Sequence, residues 1–167
     1  ISRVICQHNV NHGVFMTGTA TTAGLQWEIH DLLMQANGGC GISLITISGT
    51  PVAAPVGSWD KIYTYANSQY GVYVVADAAC PVYNLRIHSA FIGSDGLGGI
   101  YLDTKANASG GHILSNIVTE LNGSVATGPD LATPATNAGN AMTFAADNGS
   151  VAISSFLITC SSANGIV

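Results

Sequence analysis

Three carboxylates in this sequence have the type and placement for general acid and base work: Asp95, Glu120 and Asp130. Two such groups a few ångströms apart, one keeping its proton and the other ionised, can protonate a leaving oxygen and activate a nucleophile, the chemistry that cleaves a glycosidic bond. The plainer expectation for the same residues is a turn aspartate at 95 and solvated loop acids at 120 and 130. A second group is aromatic. All six tyrosines fall between residues 63 and 101, and Tyr65, Tyr70, Tyr73 and Tyr101 could offer ring faces to the apolar side of a sugar. Cross-strand stabilisation of a sheet is the alternative use of the same rings.

Other chemistries have less support. His8 and His12 bracket one polar segment, but no acidic residue joins them at ligand spacing, so neither a metal nor any other cofactor is expected. Cys6, Cys40, Cys80 and Cys160 form no CxxC pair, which leaves buried thiols and a disulfide both open. Charged residues are only 8% of the chain, with Lys+Arg 4 against Asp+Glu 9, and Arg3, Lys61, Arg86 and Lys105 are too dispersed to make a phosphate-binding stripe. No nucleic-acid partner is expected. No apolar run approaches the roughly 18 residues that span a bilayer, so no membrane partner is expected either.

The elements that must position these groups come from a repeat. Val14, Ile42, Val72, Ile100, Met142 and Ile166 each follow a small residue in a short apolar phrase, such as Gly71-Val-Tyr-Val74 and Gly99-Ile-Tyr-Leu102. Five positions before these anchors stand Asn9, Asn37, Asn67, Asp95, Asn137 and Ser161, short polar residues suited to a bend repeated from copy to copy. At ten and eight before the anchor the pairs Val4 and Cys6, Leu32 and Met34, Ile62 and Thr64, Ala90 and Ile92, and Phe156 and Ile158 alternate with period two. That period is a strand with one face inward. In the fifth copy Leu114, Ile117, Thr119 and Asn122 fit these slots better than residues 133 to 137, so residues 123–140 read as an inserted bend loop.

Strands this short bury their inward residues only by stacking turn on turn. The expected fold is therefore all-β: a parallel β-helix solenoid of about six coils with three short strands per coil. Parallel crossovers make it right-handed. With 167 residues and 47% apolar content, residues 1–167 form a single domain with ample core. Because Ile1 and Val167 fall inside repeat units, the natural polypeptide is expected to continue past at least one end.

The recurring Asn bend and Gly-Ile-x-Leu phrase resemble the right-handed β-helices of the pectate-lyase-like superfamily, and most of all phage tailspike and tail-fibre modules. The polygalacturonase-like members carry Asn-Thr-Asp, Asp-Asp, Gly-His-Gly and Arg-Ile-Lys motifs, to which only Gly111-His-Ile113 and Arg86-Ile-His88 come near here. What the resemblance implies is a virion or secreted fibre module, a rigid shaft that binds host-surface polysaccharide. The alternative is a polysaccharide-degrading enzyme using Asp95, Glu120 and Asp130. Tyr73 and Tyr101 share one outward slot and should stand about 4.8 Å apart as an exposed ladder. His30 and His88 likewise share a slot two copies apart. Ile5, Leu33, Tyr63, Phe91 and Leu157 form an outward apolar column that needs cover, and by the same resemblance a homotrimer packs along it.

Overall fold

The computed structural model describes residues 1–19, 26–47, 56–105, 111–120, 122, 140–144, 150–159 and 166. Among them are eleven strands and no helix. Strands β1 (Ser2–Gln7), β3 (Gln26–Gln35), β5 (Val56–Tyr65), β7 (Arg86–Gly93), β9 (Gly111–Glu120) and β11 (Ser150–Thr159) lie side by side in that order in one parallel sheet. The intervening strands β2 (Val14–Thr19), β4 (Ile42–Ile47), β6 (Tyr70–Val75), β8 (Gly98–Asp103) and β10 (Asn140–Phe144) form the second, also parallel and in chain order. The chain alternates between the sheets and advances one strand each time, which is a parallel β-solenoid.

About three full turns are present rather than the six coils expected. The bend residues Asn37, Asn67, Asp95 and Asn122 are all buried, whereas Asn9 in the bend after β1 is exposed. Of the segment read as an inserted loop, residues 123–140, all but the last lie outside the described residues, and Asn140 opens β10.

The interior follows the period-two pattern. Val14, Ile42, Val72, Ile100, Met142 and Ile166 succeed one another in register as one inward row. Across from it Ile29, Trp59, Ile87, Leu114 and Ile153 make a second row from the long sheet. Ile42, Val72, Ile100, Trp59 and Ile87 are fully enclosed, so each turn contributes apolar surface that only its neighbours can cover.

Each turn has two strands where three were expected, because two of the short strands run together as one long strand with a single left-handed residue inside it. Arg3, Asp31, Lys61, Ser89, Asn116 and Ser155 all have positive φ and occupy one column across the long sheet. One such residue bends the strand without interrupting the ladder on either side, much as a bulge does. A second left-handed column, His8, Ala36, Ala66 and Ser94, sits one residue ahead of the Asn and Asp bend residues. The expected strained position therefore falls on the preceding residue, and the Asn and Asp side chains are free for another task.

Candidate functional site

That task is a hydrogen-bonded ladder along the solenoid axis. The Asn37 Oδ1 accepts from the Asn9 backbone N–H at 3.2 Å and the Asn9 Nδ2 at 2.8 Å, and Asn67 Oδ1 accepts the same pair from Asn37 at 3.1 and 2.8 Å. Asp95 Oδ1 accepts both from Asn67, at 2.9 and 2.8 Å, and Asn122 Oδ1 accepts the Asp95 N–H at 3.1 Å. Each amide also ties back to a strand carbonyl: Asn37 Nδ2 to Cys6, Asn67 Nδ2 to Met34 and Asn122 Nδ2 to Ile92. Asp95 has the one side chain in this series that cannot make that donation as a carboxylate. Its Oδ2 instead accepts from the Thr64 hydroxyl at 2.9 Å. Burial pushes the Asp95 carboxyl up to about 7, against hydrogen bonds from the Asn67 side chain, the Asn67 backbone and Thr64 that favour the anion.

Asp95 is fully enclosed, with both oxygens engaged, and the acid or base role read from the sequence needs a group that substrate can touch. Glu120 ends β9 in register with Gly93, half-buried on the outward face of the long sheet. Asp130 lies outside the described residues.

The tyrosines divide in the same way. Tyr73 and Tyr101 are adjacent in register and stack with ring centroids 5.4 Å apart, as expected of a shared slot. They are not an exposed ladder. Both are buried, at 4% and 7% exposure, in a cluster with Tyr70 and Cys40, and Tyr70 lies 5.6 Å from Tyr73 and 5.5 Å from Tyr101. Burial also raises the Tyr70 hydroxyl well above the ordinary phenol range, with the neighbouring Tyr101 and Tyr73 rings adding to it.

Exposed aromatic side chains include Phe15 on β2 and, on the outward face of the long sheet, Tyr63 and Tyr65. Tyr65, at 38% exposure, is the one residue of the predicted binding set that is open. Beside it Tyr63 and Phe91, adjacent in register, stack at 4.7 Å with planes 12° apart, and the Tyr63 and Tyr65 rings are 6.4 Å apart. Gly93 faces Tyr65 on the next strand, and a Cβ there would come 2.8 Å from Phe91 Cε1 and 3.4 Å from Tyr65 Cδ2. Polar groups flank the rings: Gln35 is in register with Tyr65 on one side and takes a 2.8 Å hydrogen bond from Gln7, while Glu120 lies beyond Gly93 on the other. Tyr63 and Phe91 were legible as outward positions by the alternation around Thr64 and Ile92, although their stacking was not. The apolar column itself runs in register from Ile5 through Leu33, Tyr63, Phe91 and Val118 to Leu157.

His12, His30 and His88 have structural partners. His12 Nδ1 accepts from the Cys40 N–H at 2.9 Å, and its ring stacks on Phe15. His30, Asp60, His88 and Ser115 form one outward column; His88 Nδ1 is 2.7 Å from the Ser115 hydroxyl and His30 Nδ1 is 3.3 Å from Asp31. Cys6, Cys40 and Cys80 are free thiols, and burial pushes Cys40 up to about 12.

Comparison of the chain with protein-family models, with curated proteins and with solved structures gave no match.

Proposed function

We propose that this protein is a tailspike-like fibre module, on a virion or otherwise outside the cell, that serves as a rigid shaft and binds surface polysaccharide on the outward face of its long sheet. The observation that carries this reading is the platform of the exposed Tyr63 and Tyr65 and the half-buried Phe91, bordered by Gln35 and Glu120. Flat ring faces suit the apolar side of a pyranose, and neighbouring amide and carboxylate groups suit its hydroxyls. The chain's net charge of -5 disfavours polyanions, which makes a neutral or amine-bearing polysaccharide the fitting ligand. By the general handedness of parallel crossovers the coil is right-handed.

Packing of three copies along the Ile5 to Leu157 column is the competing use of the same face, since it would cover Tyr63 and Phe91. The glycan reading is favoured because Gln7, Gln35 and Glu120 line the next column, and such polar groups belong to the rim of a subunit contact rather than its centre. Hydrolysis draws no support from Asp95, which is enclosed. The test is a glycan array on the intact protein, with its mass in solution measured in parallel. Retention of neutral or amine-bearing polysaccharides is the expected result. No binding to any glycan, together with a stable trimer, would overturn the reading in favour of a purely structural shaft.

A further inference from the structure

The bend ladder contains one residue whose chemistry does not match its slot. Asn37 and Asn67 each use Oδ1 to accept from the preceding turn and Nδ2 to donate to the next ladder oxygen at 2.8 Å. In Asp95, Oδ1 is the acceptor, so Oδ2 occupies the donor's place, with Asn122 Oδ1 as the next ladder oxygen. The carbonyls that receive the amide's other hydrogen are those of Cys6, Met34 and Ile92, and the in-register member of that column at this turn is Thr64. As a carboxylate Oδ2 can only accept, at the place where the neighbouring asparagines donate, and the donor it meets is the Thr64 hydroxyl. The column runs Cys6, Met34, Thr64, Ile92 and Thr119, and the Thr64 hydroxyl donates to Asp95 Oδ2 at 2.9 Å.

We propose that Asp95 is a proton-operated latch in the solenoid. With a proton on Oδ2 taken from solvent water, Asp95 copies asparagine, donates to the next ladder oxygen on Asn122 and closes the stack between the β7–β8 turn and β9. Without it, Oδ2 has no hydrogen to offer Asn122, Thr64 alone satisfies Oδ2, and that junction is loosened.

The surroundings leave the latch to its own proton. The groups presented to Asp95 are Thr64 from β5, Asn67 from the bend after β5, Gly71 from β6 and Asn122 from the bend after β9. The titratable side chain coupled to it is Cys40, whose thiol burial keeps neutral, and no charged side chain enters the shift of Asp95. The sign follows from the folded value lying above that of an unfolded aspartate, about 3.9. The latch contributes its full stability below about pH 4 and loses it as pH rises through about 7.

Carbon-13 carboxyl NMR of the intact wild-type protein is the direct test, and Asp95 should titrate near neutrality. Thermal melts supply the second: the wild type should melt several degrees lower at pH 9 than at pH 5.5, and Asp95→Asn should remove most of that difference by supplying a permanent donor. Thr64→Val, which deletes the one hydroxyl holding the anion, should move the Asp95 midpoint upward. An Asp95 carboxyl titrating near 4, or Asp95→Asn melts with the wild type's full pH dependence, would overturn the proposal. The NMR titration stands even if a variant does not fold.

Discussion

Gly93 lies in register with Tyr65 on the adjacent strand, and the space its missing side chain leaves is filled by the Phe91 and Tyr65 rings. The φ of Gly93 is not in the left-handed region, so alanine fits the backbone there and its effect is steric. Gly93→Ala should fold, cost about 1 kcal/mol, and displace Phe91 from its stack on Tyr63. Near-ultraviolet circular dichroism compared with a chemical-denaturation curve checks this; an unchanged aromatic spectrum would mean that the glycine does not set the platform.

The ladder makes a graded prediction. Asn67 accepts two hydrogen bonds from Asn37 and donates to Met34 and Asp95, all buried, so Asn67→Ala leaves several polar groups without partners. At roughly 1 kcal/mol for each bond, the loss should be about 3 kcal/mol or more. Asn9→Ala, at an exposed rung, should cost no more than about 1 kcal/mol. Urea unfolding of both variants measures the difference, and equal costs would contradict a load carried by the buried rungs.

The interior row and the outward column should respond in opposite ways. Ile100→Ala removes a side chain enclosed between Val72 and Met142 and should cost about 2–5 kcal/mol. Leu157→Ala, at 58% exposure, should stay within about 0.5 kcal/mol in the monomer. A large loss at Leu157 would point to a contact between copies, which concentration-dependent melting would expose.

What could be read from the sequence was what repeats. Inward positions must alternate with period two and must recur at the turn length, so the row from Val14 to Ile166 and the bend residues Asn9 to Asp95 are legible in the sequence alone. Asn122 emerged in the same way, through the fit of Leu114 and Ile117 to the strand slots. The kinks in the long strands did not stand out, because Arg3, Asp31, Lys61, Ser89, Asn116 and Ser155 share a backbone conformation and no composition. Exposure was also beyond reach: alternation says that Tyr73 points away from Val72 and Val74, but whether an outward face meets solvent depends on tertiary packing. For the same reason the bend slot of Asp95 was legible but its enclosure was not.

Thiol chemistry offers a check on the enclosed cluster. Cys40 is buried beside Tyr70, Tyr73 and Tyr101, and its thiol is pushed up to about 12, so almost no thiolate exists at pH 8. A thiol reagent at that pH should leave Cys40 unmodified in the folded protein and label it on denaturation, as read by peptide mass spectrometry. Rapid native labelling would mean that the cluster opens.

The central claim, that carbohydrate lies on the outward face of the long sheet, is tested most directly by calorimetry with the strongest array ligand on the wild type, Tyr65→Ala and Tyr101→Phe. Stacking of a sugar on an exposed ring implies at least a tenfold loss for Tyr65→Ala, about 1.4 kcal/mol, with unaltered melting. Tyr101→Phe keeps the buried ring and should bind as the wild type does. Undiminished affinity in Tyr65→Ala, or a loss confined to Tyr101→Phe, would contradict the account.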